Sequence, residues 1–107
     1  MLAWIYLSAA IASEVVGTVF LNYTDGFTKP GPTTLTIACM TVSITLLGLA
    51  LRTLPVGTAY GIWTGIGTIG TVALGIAWLG ESASPLRLGC IALIVIGIVG
   101  LKMVSPE

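Results

Sequence analysis

An all-α membrane protein of four spanning helices is predicted by three observations. Apolar residues make up 56% of the 107 and charged residues 7%, and mean hydropathy is +1.09. Soluble domains carry roughly 25% charge, so this chain cannot dress a water-facing surface. The apolar residues fall into four stretches of about 20, the length that crosses a bilayer core. Between the stretches lie short segments rich in proline, glycine and charge. One domain is expected over residues 1–107, with spans at about 2–21, 33–51, 58–79 and 88–104.

The first span begins without the basic region or cleavage site of a signal peptide, so it is expected to remain in the protein. It closes at "NYTDGFTKPGP", where Asp25-Gly26 and two prolines break the helix. Within it Glu14 is the only charge from Met1 to Phe20. A charge at a helix centre costs about 2.5–3.5 kcal/mol on insertion scales, and hydrocarbon favours the neutral carboxyl over the carboxylate. One reading is a protonated carboxyl bridging helices. The other is a group that exchanges its proton for a cation, the minimum equipment for proton-coupled transport of a positively charged substrate. Helical spacing puts Leu7, Ala10, Gly17, Thr18 and Leu21 on the face of Glu14. Gly17 and Thr18 are small enough to admit a ligand or a neighbouring helix.

The second span is followed by "RTLPVG". The third carries "AYGIWTGIG", with Tyr60, Trp63, Thr64 and Gly67 on one face. Tyr and Trp inside a span can stack on a cation and donate to a carboxylate. They also fit an aromatic belt. Gly57, Gly61 and Gly65 recur every four residues, a spacing that permits close helix packing. "GIG" at residues 65–67 is a candidate bend for a helix that must open two gates in turn. The fourth span, after "GESASPLR", has no polar residue between Cys90 and Leu101. With Gly89, Gly97 and Gly100 it reads as a self-association element. Four short helices enclose too little to form a cavity, so two copies of Glu14 facing one cavity are expected.

Lys29 and Arg87 fall on one side of the membrane, Arg52 and Lys102 on the other. Orientation follows an excess of Lys and Arg on the cytoplasmic side. Two against two gives no excess, so either translocation context or the first helix decides the orientation, or, on the sharper reading, the chain inserts both ways up. Cys39 and Cys90 sit singly in apolar runs and read as packing residues. There is no His, no Cys–His pair and no phosphate loop, so no enzyme, cofactor, metal site or ATP-driven pump is expected. Four basic against four acidic residues leave no field to hold nucleic acid.

"SEVVGT", "YTDGFTKPGP" and "LPVGTAYGIWTGIGTIG" resemble the small multidrug resistance family across essentially the whole chain. The resemblance implies a proton-coupled antiporter of the bacterial inner membrane that exports small organic cations. It would work as an antiparallel homodimer or as a heterodimer with a paralogous subunit. It also implies that Glu14 binds substrate and proton, that Tyr60 and Trp63 line the pocket, that Gly65 to Gly67 form the bend, and that the fourth helix is the dimer contact. "LPVGTAYGIWTGIG", "GESASPLRL" and "IVGLK" look like the guanidinium-exporting subtype. So does Ser43, placed to hydrogen-bond beside a Glu14–guanidinium pair. A carboxylate fork suits the planar cation. The first helix departs from that subtype, with Ile11 for its usual Gly, Gly17 for Trp and Asn22 for Lys. These changes resemble the multidrug or paired-subunit members, and loss of the Trp should widen the pocket. Export of quaternary ammonium ions, or a non-transporting role as the partner in a heterodimer, are the competing readings.

Overall fold

The computed structural model describes residues 2–104. These residues form four α-helices: α1 (Leu2–Tyr23), α2 (Pro30–Ala50), α3 (Val56–Trp78) and α4 (Pro85–Val104). Each is long and apolar enough to cross a membrane. The closing Ser-Pro-Glu of the fourth span lies outside the described residues.

Helix α1 starts where expected, whereas α2, α3 and α4 start two or three residues before the expected spans, and proline chemistry explains the difference. Pro30 and Pro85 are first residues of helices rather than loop breakers. The first helical N–H has no partner in any case, and the ring pre-sets φ. Lys29, held extended by the proline after it, sits just outside α2 at φ −102°, ψ 116°. Ser84 precedes Pro85 and its Oγ accepts the Arg87 N–H at 3.3 Å, capping α4. Pro55 lies immediately before α3.

The first loop is built on Thr24, which is almost fully buried. Its hydroxyl donates to the Leu21 carbonyl at 2.9 Å and accepts the Phe27 N–H at 3.3 Å. Its carbonyl takes the N–H groups of Thr28 and Lys29. Asp25, Gly26 and Phe27 then turn through the left-handed region. At the end of α3, Gly80 adopts φ +71° and lets the Glu81 N–H return to the Gly75 carbonyl at 3.1 Å. Glu81 and Arg87 close the third loop with a 2.6 Å ion pair.

Helix α1 packs against α2 and α3, α2 also touches α3, and α4 packs on α3, reaching α1 through Lys102 over the Trp4 ring. The core is Leu7 and Ala10 of α1, Ser43, Leu47 and Ala50 of α2, and Ala59 and Ile62 of α3. Small residues at these crossings let the backbones approach closely, the usual basis of packing in lipid. The result is a thin layer of 43 × 34 × 17 Å. No residue of α4 is buried. Leu86, Leu93, Ile96 and Met103 stand exposed along it.

Candidate functional site

Glu14 lies midway along α1, against Gly67 of α3. Gly67 permits that approach, since a Cβ there would overlap the Glu14 Oε1. The other carboxyl oxygen, Oε2, accepts a hydrogen bond from Thr18 Oγ1 at 3.2 Å, one turn along the same helix. No salt bridge to Glu14 is formed among the described residues. The carboxyl therefore has one neutral donor and no cation, and it opens onto a cleft of about 200 Å³ lined by Glu14, Thr18, Thr68, Thr71 and Val72.

Thr68 and Thr71 escaped the sequence reading. They continue the face that begins at Tyr60 and Thr64, spaced by four and three residues, so the periodicity that singled out Tyr60 and Gly67 also reaches them. Thr68 spends its hydroxyl proton on the Thr64 carbonyl at 2.7 Å. Its oxygen keeps a lone pair for the cleft, where a cationic N–H would find both a carboxylate and a neutral acceptor.

One turn from Gly67 towards the start of α3, Trp63 Nε1 donates to Ser43 Oγ at 3.0 Å. Ser43 Oγ donates in turn to the Ala10 carbonyl at 2.6 Å. By helical register that carbonyl also serves the N–H of Glu14. Ser43 is fully buried and ties three helices together one turn from the carboxyl. In the single chain its hydroxyl is spent on the Ala10 carbonyl and on Trp63 rather than on a ligand beside Glu14. A further turn along, the Tyr60 ring lies 5.5 Å from that of Trp63 at 46°. Tyr60 is 55% exposed on the open face of the layer.

The remaining site candidates are spread over other contacts. Gly17 is directed at α2: a Cβ there would sit 3.0 Å from Cys39 Cβ and 3.2 Å from the end of Met40. It is not among the residues that line the cleft of the single chain. Gly65 faces α4, where Ile98 and Ile94 fill the space of its missing side chain. Helix α3 continues without interruption through Gly65 and Gly67. Gly89 and Gly97 meet no atom within 4 Å and lie on the uncovered side of α4. Cys39 and Cys90 are unpaired.

Residues 2–104 match the model of the family described as Small Multidrug Resistance protein. The chain is 56% identical over 102 residues to a guanidinium exporter of Citrobacter freundii and to one of Salmonella typhimurium. It is 52% identical to a guanidinium exporter of Shigella flexneri. Each alignment covers 95% of this chain and 97% of the relative.

Proposed function

Since the chain belongs to the small multidrug resistance family, we propose that it exports guanidinium-type cations across the bacterial inner membrane in exchange for protons. Glu14 serves as the shared binding group. The observation that carries this reading is a single ionisable side chain at mid-span, without a protein cation beside it, open to a cleft of hydroxyl oxygens. A guanidinium ion is planar, carries its N–H donors in a fork, and fits a carboxylate through two parallel hydrogen bonds. The threonine oxygens of the cleft offer acceptors to the donors left over. A proton neutralises the same carboxyl. The two guests therefore exclude each other, and that exclusion alone couples their opposed movements.

Tyr60 and Trp63 form the aromatic wall one and two turns from the carboxyl, where a ring face can hold a cation. Ser43 fixes the Trp63 ring. Gly65 and Gly67 are the points about which α3 yields when the cleft changes sides. A second copy of the chain, in the opposite orientation, closes the cleft, with Gly89 and Gly97 on the joining face of α4.

The test is transport by purified protein in sealed vesicles. An imposed guanidinium gradient should drive proton movement in the opposite direction, and Glu14→Gln should abolish it. Transport by Glu14→Gln at the parent rate would overturn the mechanism. Movement of tetraalkylammonium ions without movement of guanidinium would move the chain to the multidrug reading. A chain that transports only when a paralogous partner is present would be a heterodimer subunit.

A further inference from the structure

A second recess lies on the other side of α3 from the Glu14 cleft and shares no lining residue with it. Ile62 and Ile66 of α3 border it. Each is two positions from a threonine of the cleft face, Thr64 and Thr68, and so about 200° around the helix. The recess has a volume of about 430 Å³ between α1, α3 and α4, and Ile11 and Ile98 complete its apolar wall. Its mouth is at the first turn of α1 and the last turn of α4, where a bilayer passes from hydrocarbon to headgroups. There Lys102 Nζ lies 4.4 Å from the centroid of the Trp4 ring. The ring holds the ammonium at the mouth without neutralising it, and Lys102 forms no salt bridge among the described residues. The indole N–H of Trp4 is buried and also lacks an acceptor among them. An apolar slot with, at its mouth, an ammonium that no described residue neutralises is complementary to an anionic amphiphile.

We propose that this groove binds one anionic phospholipid, its phosphate against Lys102 and its acyl chain between Ile11, Ile62, Ile66 and Ile98. Charge complementarity selects an anionic lipid over a zwitterionic one, because a phosphocholine carries its own cation to the same mouth. The groove is separate from the Glu14 cleft, so occupancy does not compete with transported cations.

The full-length protein would be reconstituted in nanodiscs of equal phosphatidylglycerol and phosphatidylcholine with matched acyl chains. Lipid retained on release would then be counted by native mass spectrometry. The parent should retain phosphatidylglycerol over phosphatidylcholine by about fivefold, the scale of one basic residue at an anionic surface. Lys102→Gln should bring the ratio near one. Arg52→Gln, at the same membrane end but outside the groove, should leave it unchanged. Ile66→Trp, which fills the slot, should lower the total retained while the helical circular dichroism persists. Equal retention by the parent, or loss of preference in Arg52→Gln as large as in Lys102→Gln, would overturn the site. Should Lys102→Gln fail to reach the membrane, the slot-filling variant decides, and undiminished phosphatidylglycerol on Ile66→Trp overturns it as well.

Discussion

At the scale of single residues, the position of the Glu14 carboxyl depends on Gly67. An alanine there puts a Cβ into Oε1, but the displaced atom is the tip of a flexible side chain. Gly67→Ala should therefore keep its thermal midpoint in detergent within a few degrees of the parent. Its apparent KM for guanidinium should rise tenfold or more, because a shift of about 1 Å in a positioned group can cost 10²-fold. Ser43→Ala should do the reverse in proportion. It strips Trp63 Nε1 of its acceptor and the Ala10 carbonyl of a donor. An orphaned buried polar group costs about 1–3 kcal/mol, so a clear drop in thermal midpoint is expected, with a red-shifted tryptophan emission as the ring loosens. Glu14 was legible in the sequence because one charge among aliphatic residues has no surface explanation. Ser43 was legible as a hydroxyl but not by its partners, which lie 33 and 20 residues away in the chain. Gly17 was assigned to the face of Glu14 by spacing alone. That a Cβ there would meet Cys39 follows from how α2 is seated.

At the scale of helices, the two glycine rows of the C-terminal half face different surroundings, one the α3–α4 contact and the other open space, and substitutions should test the proposed association through the second. Gly61 and Gly65 of α3 receive Leu101 and Ile98 of α4, and this is the row that fastens α4 to the rest of the chain. Gly65→Leu forces a branched side chain into space where Ile98 already stands 2.6 Å from an ideal Cβ. Overpacking of this kind costs about 1–3 kcal/mol. It should appear as faster proteolysis of α4 and a lower thermal midpoint. Gly89 and Gly97 face open space, so Gly97→Leu should leave the fold of one chain intact and weaken association between chains. Sedimentation in detergent would show this as a shift from dimer to monomer at an unchanged midpoint. The number of helices was legible because hydrocarbon thickness fixes the length of an apolar run. Their first residues were not. Proline ends one helix and begins the next with equal ease, and only the cap around it distinguishes the two: the extended Lys29, or the Ser84 hydroxyl on the Arg87 N–H.

At the scale of the whole molecule, a layer 17 Å thick is less than two helix diameters of about 10–12 Å, too thin to surround a guest. The Glu14 cleft is open on one face, and what closes it must come from outside the chain. We propose that a second copy inverted in the membrane does so, presenting one carboxyl to each side; the even division of Lys and Arg supports that reading. The loop end of Lys29 and Arg87 and the opposite end of Arg52 and Lys102 each carry two basic residues, so one added lysine tips the count. Ala83→Lys, on an exposed loop position, should send the first and third loops to the cytoplasm. Thr53→Lys, also exposed, should send them to the other side. A reporter fused at the C-terminus should then read a single orientation for each variant, against a mixture for the parent. Neither variant alone should confer guanidinium tolerance on cells lacking other exporters, because each lacks its inverted partner. Expressed together they should restore it. Full tolerance from either one alone, at a verified single orientation, would show that inversion is not what closes the cleft.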